Sequence, residues 1–258
     1  SISIPDATAG ASGVYTLTAT TVMGTCIATA TTAVQVTVVA SPQIEVTGNH
    51  PLCAGDSLTL TATGSQTYHW SNGITSPSIT VFPSLSTTYM VTGTDNHGCA
   101  GTAEVLVTVN PIPAVAISGN TSICKGKSTT LYASGASSYI WSSGFNGSSL
   151  AVAPSNSATY SVTGTSAYGC SAAETIVVTV HPKPDVDVTG NSPVCAGENV
   201  TLSASGANSY VWSSGGGTGS SITLNPTSSK SYTVTGTTIY GCTATASKSI
   251  TVHPKPNV

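Results

Sequence analysis

Apolar and polar residues alternate with period two along most of this chain. Leu58, Leu60 and Ala62 fall on one side, with Ser57, Thr59 and Thr61 on the other. The same phase returns at Leu131 and Ala133, and at Val200, Leu202 and Ala204. Such alternation describes strands with one buried face. Further strands are predicted around Ile79 and Val81, Leu150 and Val152, and Ile222 and Leu224. The segments TYMVTGT with VLVTV, TYSVTGT with IVVTV, and SYTVTGT with SITV add two more each. No helical period shows, and Gly, Asn, Ser and Pro interrupt the pattern every eight to twelve residues. This favours two packed sheets, because a single sheet would leave one apolar face in water.

The pattern is repeated as a whole. Cys53, Trp70, Tyr89 and Cys99 recur as Cys124, Trp141, Tyr160 and Cys170, and again as Cys195, Trp212, Tyr232 and Cys242, at a period of 71 or 72 residues. Tandem modules are expected at 41–110, 111–181 and 182–253. Residues 1–40 align with the second half of a module, since SGVYTLTATTVMGTC matches KSYTVTGTTIYGC. Residues 254–258 read as the start of a further one. The expectation is a window onto a longer repetitive protein, with the half-module exposing an unfinished sheet that another segment completes.

Cysteine to tryptophan is 17 residues in every module. The order Cys, Trp, Cys approximates that of immunoglobulin-like sandwiches, in which a tryptophan fills the core centre. Trp70, Trp141 and Trp212, each with a tyrosine two positions earlier on the same strand face, are expected in the core rather than as sugar-stacking platforms. Tyr89, Tyr160 and Tyr232 are expected as core aromatics, structural tyrosines hydrogen-bonded to backbone. The strand count between tryptophan and this tyrosine matters. One strand brings both cysteines to one pole with both termini at one end, and two strands reverse both outcomes. Termini at opposite ends are expected, with a short or irregular extra strand.

Composition adds a compartment and removes partners. Charged residues are 6% of the chain, with six Lys, no Arg and a net charge of −3. That excludes a phosphate-binding surface for nucleic acid, which needs clustered cations. The cysteines of each module lie 46, 46 and 47 positions apart. Pairing within modules, Cys53 with Cys99, Cys124 with Cys170 and Cys195 with Cys242, leaves Cys26 unpaired. Each loop would contribute roughly 4 kcal/mol in the chain-entropy model, which a core this small needs. A rival scheme ties neighbours together through Cys26–Cys53, Cys99–Cys124 and Cys170–Cys195. Either scheme requires an oxidising, extracellular setting.

Short P-x-P linkers at Pro111 and Pro113, Pro182 and Pro184, and Pro254 and Pro256 favour extended, semi-rigid joints. Little suggests catalysis. Of the histidines only His181 and His253 share a module position, before P-K-P, and read as solvated strand ends. No C-x2-C pair or EF-hand loop points to a metal, and the run 215–221 lacks the lysine of a phosphate loop. No enzyme activity and no cofactor are expected.

The motifs C-x-G-x-x-x-T-L-x-A-x-G, Y-x-W, T-Y-x-V-T-G-T, G-C and T-V-x-P-K-P, carried in the last module by CAGENVTLSASG, YVW, SYTVTGT, GC and TVHPKP, cover nearly the whole chain. They resemble the immunoglobulin-like or PKD-like repeats of giant Bacteroidota surface proteins, including gliding-motility adhesins of the SprB type. The W-x-F-G-D-G of PKD repeats proper is absent: WSNG, WSSG and WSSG stand there. The resemblance implies type IX export through the outer membrane and display as long adhesins or filaments, with no catalytic residues to carry over. The expected role is a structural or adhesive segment that presents a distant tip or makes weak multivalent contacts with extracellular surfaces or glycans. The alternative is a set of carbohydrate-binding or spacer modules of a secreted polysaccharide-degrading enzyme.

Overall fold

A computed structural model describes residues 9–213 and 217–255. The ends of the chain and residues 214–216, at the start of the glycine run at 215–221, with Pro256 of the last P-x-P, lie outside the described residues. The described residues form β-strands and one 3-10 turn, Ala9–Ala11, with no α-helix. They fall into two compact units, Ser1–Ile112 and Pro113–Val258.

In the first unit, Gly13–Met23 pairs antiparallel with Cys26–Val36 in a two-stranded ribbon. Both strands are exposed along almost their whole length. The unit also holds a sandwich. One sheet orders Glu45–Thr47, Leu58–Thr63 and Ser78–Val81, and the other orders Thr67–Trp70, Thr87–Thr94 and Ala100–Val107. Between them Leu58, Leu60, Ala62, Trp70, Ile79, Val81, Val91 and Val107 make one buried cluster. These are the alternating positions of the sequence pattern, and burying them drives closure of the two sheets.

The second unit contains two more sandwiches of the same plan, each with its own core. In the first of them, Ala116–Gly119, Thr129–Ser134 and Ser149–Val152 form one sheet. The other sheet runs in the order Ser122–Cys124, Ser171–His181, Ala158–Thr165, Ser138–Trp141. In the second, the sheets are Asp187–Thr189, Val200–Ser205 and Ser221–Leu224 against Gly217–Thr218, Ser209–Trp212, Lys230–Thr237 and Thr243–Ile250. Val194–Cys195 pairs in parallel with Val252–His253. An opening strand that begins on one sheet and ends parallel to the last strand of the other is the immunoglobulin-like arrangement. The protein is an all-β chain of such sandwiches.

Three side-chain devices recur. The tryptophans are almost fully buried, and each indole nitrogen donates to the loop that follows: Trp70 to Ser76 at 2.8 Å, Trp141 to Gly147 at 2.9 Å, Trp212 to Gly219 at 3.1 Å. The hydroxyl of Tyr139 donates to the Ala136 carbonyl at 2.8 Å and accepts from the Ala136 amide at 2.7 Å. Tyr68 on Ser65 and Tyr210 on Ala207 do the same. The backbone-bonded tyrosine is therefore the one preceding each tryptophan. Tyr89 and Tyr160 instead pack against the core, and Tyr232 is buried in it. The third device is the glycine of T-G-T. A Cβ at Gly236 would stand 2.5 Å from a Val186 methyl and 2.8 Å from the Ala207 Cβ, so only glycine lets the opening segment close over this strand.

The path from tryptophan to the next strand decides the polarity of the module. Turns at Trp70–Ile74 and Trp141–Phe145 reverse the chain, which then crosses to the other sheet. On the way it makes a single bridge, Ile140 with Asn146, or the two-residue strand Gly217–Thr218 against Val211 and Trp212. This is the short extra strand. With it, two traverses separate tryptophan from tyrosine, and the registers place the entering and leaving chain at opposite poles.

Candidate functional site

The same parity separates the two cysteines of a module. Cys195 lies beside His253 at the end of the last strand, whereas Cys242 stands just before that strand begins at Thr243. From Cys242 to His253 the strand runs the length of the module, on the order of 30 Å, and no disulfide reaches beyond a Cα separation of about 7 Å. Pairing inside the module is geometrically closed.

The bond forms instead between modules. Cys124 is joined to Cys242, 118 residues away, with an S–S distance of 2.02 Å and a Cα separation of 5.5 Å. Cys53 and Cys170 are also disulfide-bonded, and Cys26, Cys99 and Cys195 are free thiols. These facts correct the expected pairs. Cys99 cannot be the partner of Cys53, nor Cys195 of Cys242, and Cys124 does not take Cys170. The neighbour-linking scheme fails too: Cys124 does not take Cys99, and both Cys26 and Cys195 are unbonded.

Local chemistry builds each half of this joint. On one side, Ser122–Cys124 lies parallel to Thr179–His181. Ile123 points into the core, so Ser122 and Cys124 face outward. The Lys127 amide donates to the Cys124 carbonyl at 2.9 Å, and Gly126 between them has φ 82°. A turn of this geometry needs φ > 0 at its third residue, which explains the C-x-G motif. The Lys125 amide donates to the His181 carbonyl at 2.8 Å, fixing the cysteine beside the histidine.

On the other side, Thr238 to Cys242 make the turn between the last two strands. The Gly241 amide donates to the Thr238 carbonyl at 3.0 Å, and the Cys242 amide donates to the Thr238 hydroxyl at 3.1 Å. Cys242 is fully buried, its sulfur bonded to Cys124 and 3.9 Å from the His181 carbonyl. The His181 ring stacks on Tyr240, with ring centres 3.8 Å apart and planes 16° from parallel. Its Nε2 lies 3.0 Å from the Ser122 hydroxyl. His181, read from the sequence as a solvated strand end, is the centre of the joint. The signal was present in the matched H-P-K-P at 181 and 253, and in the tyrosine before the last two of the three G-C pairs, at Tyr168 and Tyr240.

Elsewhere the described residues form shallow surface grooves. Equivalent grooves run along the edge of each tryptophan-bearing strand, with volumes of about 470, 560 and 520 Å³, centred on His69, Ile140 and Val211. Hydroxyl and amide groups such as Thr67, Ser138 and Asn208 line them. Among the described residues no group of three or more His, Cys, Asp or Glu stands close enough to hold a metal ion. His97 and Asp95 form one long contact at 3.9 Å. No helix of the described residues is long and apolar enough to cross a membrane.

No protein-family model and no curated protein sequence matches the chain. Among solved structures it is similar to part of a 1.5-MDa bacterial ice-binding adhesin, at 17% identity over 84% of this chain and 99% of that one, with a TM-score of 0.33. A Ca2+-stabilised adhesin with which an Antarctic bacterium binds ice matches at 14% identity, over 95% and 82% of the two chains, with a TM-score of 0.37. The glycan-binding SGBP-B of a Bacteroides ovatus mixed-linkage glucan utilization locus, solved with a heptasaccharide, matches at 19% identity over 84% and 72%, with a TM-score of 0.21. Likeness of this extent says nothing of what this chain binds.

Proposed function

We propose that this chain is a load-bearing, adhesive segment of a large extracellular surface protein, with modules at 41–110, 111–181 and 182–253. The observation that carries this reading is the Cys124–Cys242 bond, which ties consecutive sandwiches together across their joint. A covalent tie between neighbours adds nothing to a catalytic pocket but resists separation of the modules under tension. It also requires an oxidising compartment. The repeat resemblance to Bacteroidota surface adhesins, with type IX export and display in gliding or attachment, fits the same reading. Partners on this view are extracellular surfaces or glycans, neighbouring repeats and the export machinery.

The test is retention under flow. Cells displaying the parent protein are labelled, unpermeabilised, with an antibody raised to residues 113–258, then challenged by shear before and after mild reduction. Surface labelling with retention that falls on reduction supports the reading. Absence from the surface, or retention indifferent to reduction, refutes it.

The three equivalent grooves favour a second reading, glycan-binding accessory modules of a secreted polysaccharide-degrading enzyme. A glycan array separates the two, since saturable binding to one polysaccharide belongs to the accessory role.

A further inference from the structure

Cys195 is an exposed free thiol, and the backbone around it repeats that around Cys124, although Pro193 stands where Ser122 meets the histidine ring and Glu198 accepts from the Cys195 amide where Lys127 stands. Val194–Cys195 lies parallel to Val252–His253, setting Cys195 beside His253 as Cys124 is set beside His181. The Ala196 amide donates to the His253 carbonyl at 2.9 Å, where the Lys125 amide donates to His181 at 2.8 Å. The Glu198 amide closes the turn on the Cys195 carbonyl at 3.0 Å, with Gly197 at φ 78°. Both histidines open the same H-P-K-P sequence. One of these two half-joints carries a disulfide to a Tyr-Gly-Cys turn, and the other sets its cysteine and histidine on the same backbone plan.

We infer that Cys195 and His253 form a preorganised socket for another module of this kind. The incoming cysteine, at the position Cys242 holds in its own module, bonds to Cys195, and the tyrosine two residues before it stacks on His253. Cys242 of the same module cannot fill this role, being at the far pole. The new link has the sense of the one already present within the second unit, from the first cysteine of one module to the second cysteine of the next. In forming the bond, two S–H bonds break and one S–S bond forms. The two electrons reduce a disulfide oxidant, such as oxidised glutathione, whose two new thiols take up the two protons. The inference needs only the cross-linked joint and an oxidising medium, so it stands or falls apart from the adhesive role.

The experiment lengthens the whole chain by repeating residues 182–253 after His253. In the added copy Cys195→Ser removes its own first thiol, and Ile239→Val gives its Cys242 peptide a distinct mass. After equilibration with oxidised and reduced glutathione, free thiols are alkylated and unreduced peptides are mapped by mass spectrometry. The expected map joins Cys195 to the mass-shifted peptide, retains Cys124–Cys242 and shows no alkylated Cys195. Alkylated Cys195 in a chain that has formed Cys124–Cys242 overturns the inference, as does a bond from Cys195 to Cys26, Cys99 or the unshifted Cys242. Should Cys124–Cys242 fail to form, a second chain carries residues 111–181 as the added copy, with its Cys124→Ser and with Cys170 as the incoming thiol. A free Cys195 there overturns the inference equally.

Discussion

The ring of His181 lies flat on that of Tyr240, 3.8 Å away, directly beside the Cys124–Cys242 bond. The stack and the bond together turn two sandwiches that each close a separate core into neighbours with a defined contact. The Ser122 hydroxyl of its own module meets the His181 ring at 3.0 Å, so one module orients the ring on which Tyr240 of the next one stacks.

Tyr240→Ala should therefore loosen the joint without unfolding either sandwich. An aromatic pair contributes about 0.5–1.5 kcal/mol beyond its buried area, so the Cys124–Cys242 bond should become roughly two- to tenfold easier to reduce. Titration with a dithiol checks this, while the unfolding free energy should move by less than about 0.5 kcal/mol.

Thiol reactivity should divide the seven cysteines sharply. Without reduction, Cys26, Cys99 and Cys195 alkylate, whereas Cys53, Cys124, Cys170 and Cys242 do not until a reductant is added. Alkylation followed by peptide mapping reads this directly.

Tyr139→Phe removes a hydroxyl that serves the Ala136 amide and carbonyl together. Leaving those part-buried backbone groups without partners should cost about 1–3 kcal/mol, read from urea unfolding. Tyr132→Phe, on an exposed hydroxyl, is the neutral comparison.

Gly236→Val should destabilise more than its surface area suggests. Its side chain would meet Val186 and Ala207, and overpacking of this kind costs about 1–3 kcal/mol or more. Calorimetry should show the loss in the second unit, with the first unit unchanged.

Pulled from its ends, the oxidised chain should unfold to a shorter contour than the reduced one. The stretch from Cys124 to Cys242, a sequence separation of 118, is bypassed, a difference of at least roughly 400 Å at full extension. Single-molecule stretching with and without reductant measures it. In the chain-entropy model a loop of this size also contributes about 5 kcal/mol.

The strands were legible from the alternation of Leu58, Leu60 and Ala62 and its repeats, because a half-buried sheet imposes period two on whatever residues fill it. Trp70, Trp141 and Trp212 were legible for a similar reason, each being the largest apolar side chain at a fixed place. Cysteine pairing was not. It depends on how many times the chain crosses the module after the tryptophan, and the deciding traverse leaves only the bridge Ile140–Asn146 or the strand Gly217–Thr218. Polar, glycine-rich segments such as these carry no apolar period. The backbone-bonded tyrosine was misplaced because Tyr68 and Tyr89 look alike in composition. Only the path of the turn beside Ser65 separates them. His181 was missed because its partner, Tyr240, belongs to the next module.

The long reach of the Cys124–Cys242 bond also bears on survival outside a cell. A protease that nicks the chain once anywhere between those residues, at the H-P-K-P linker or at an exposed turn such as Ser166 to Gly169, leaves both fragments joined through the disulfide. Scission there severs the strand of peptide bonds without releasing whatever hangs from its far end.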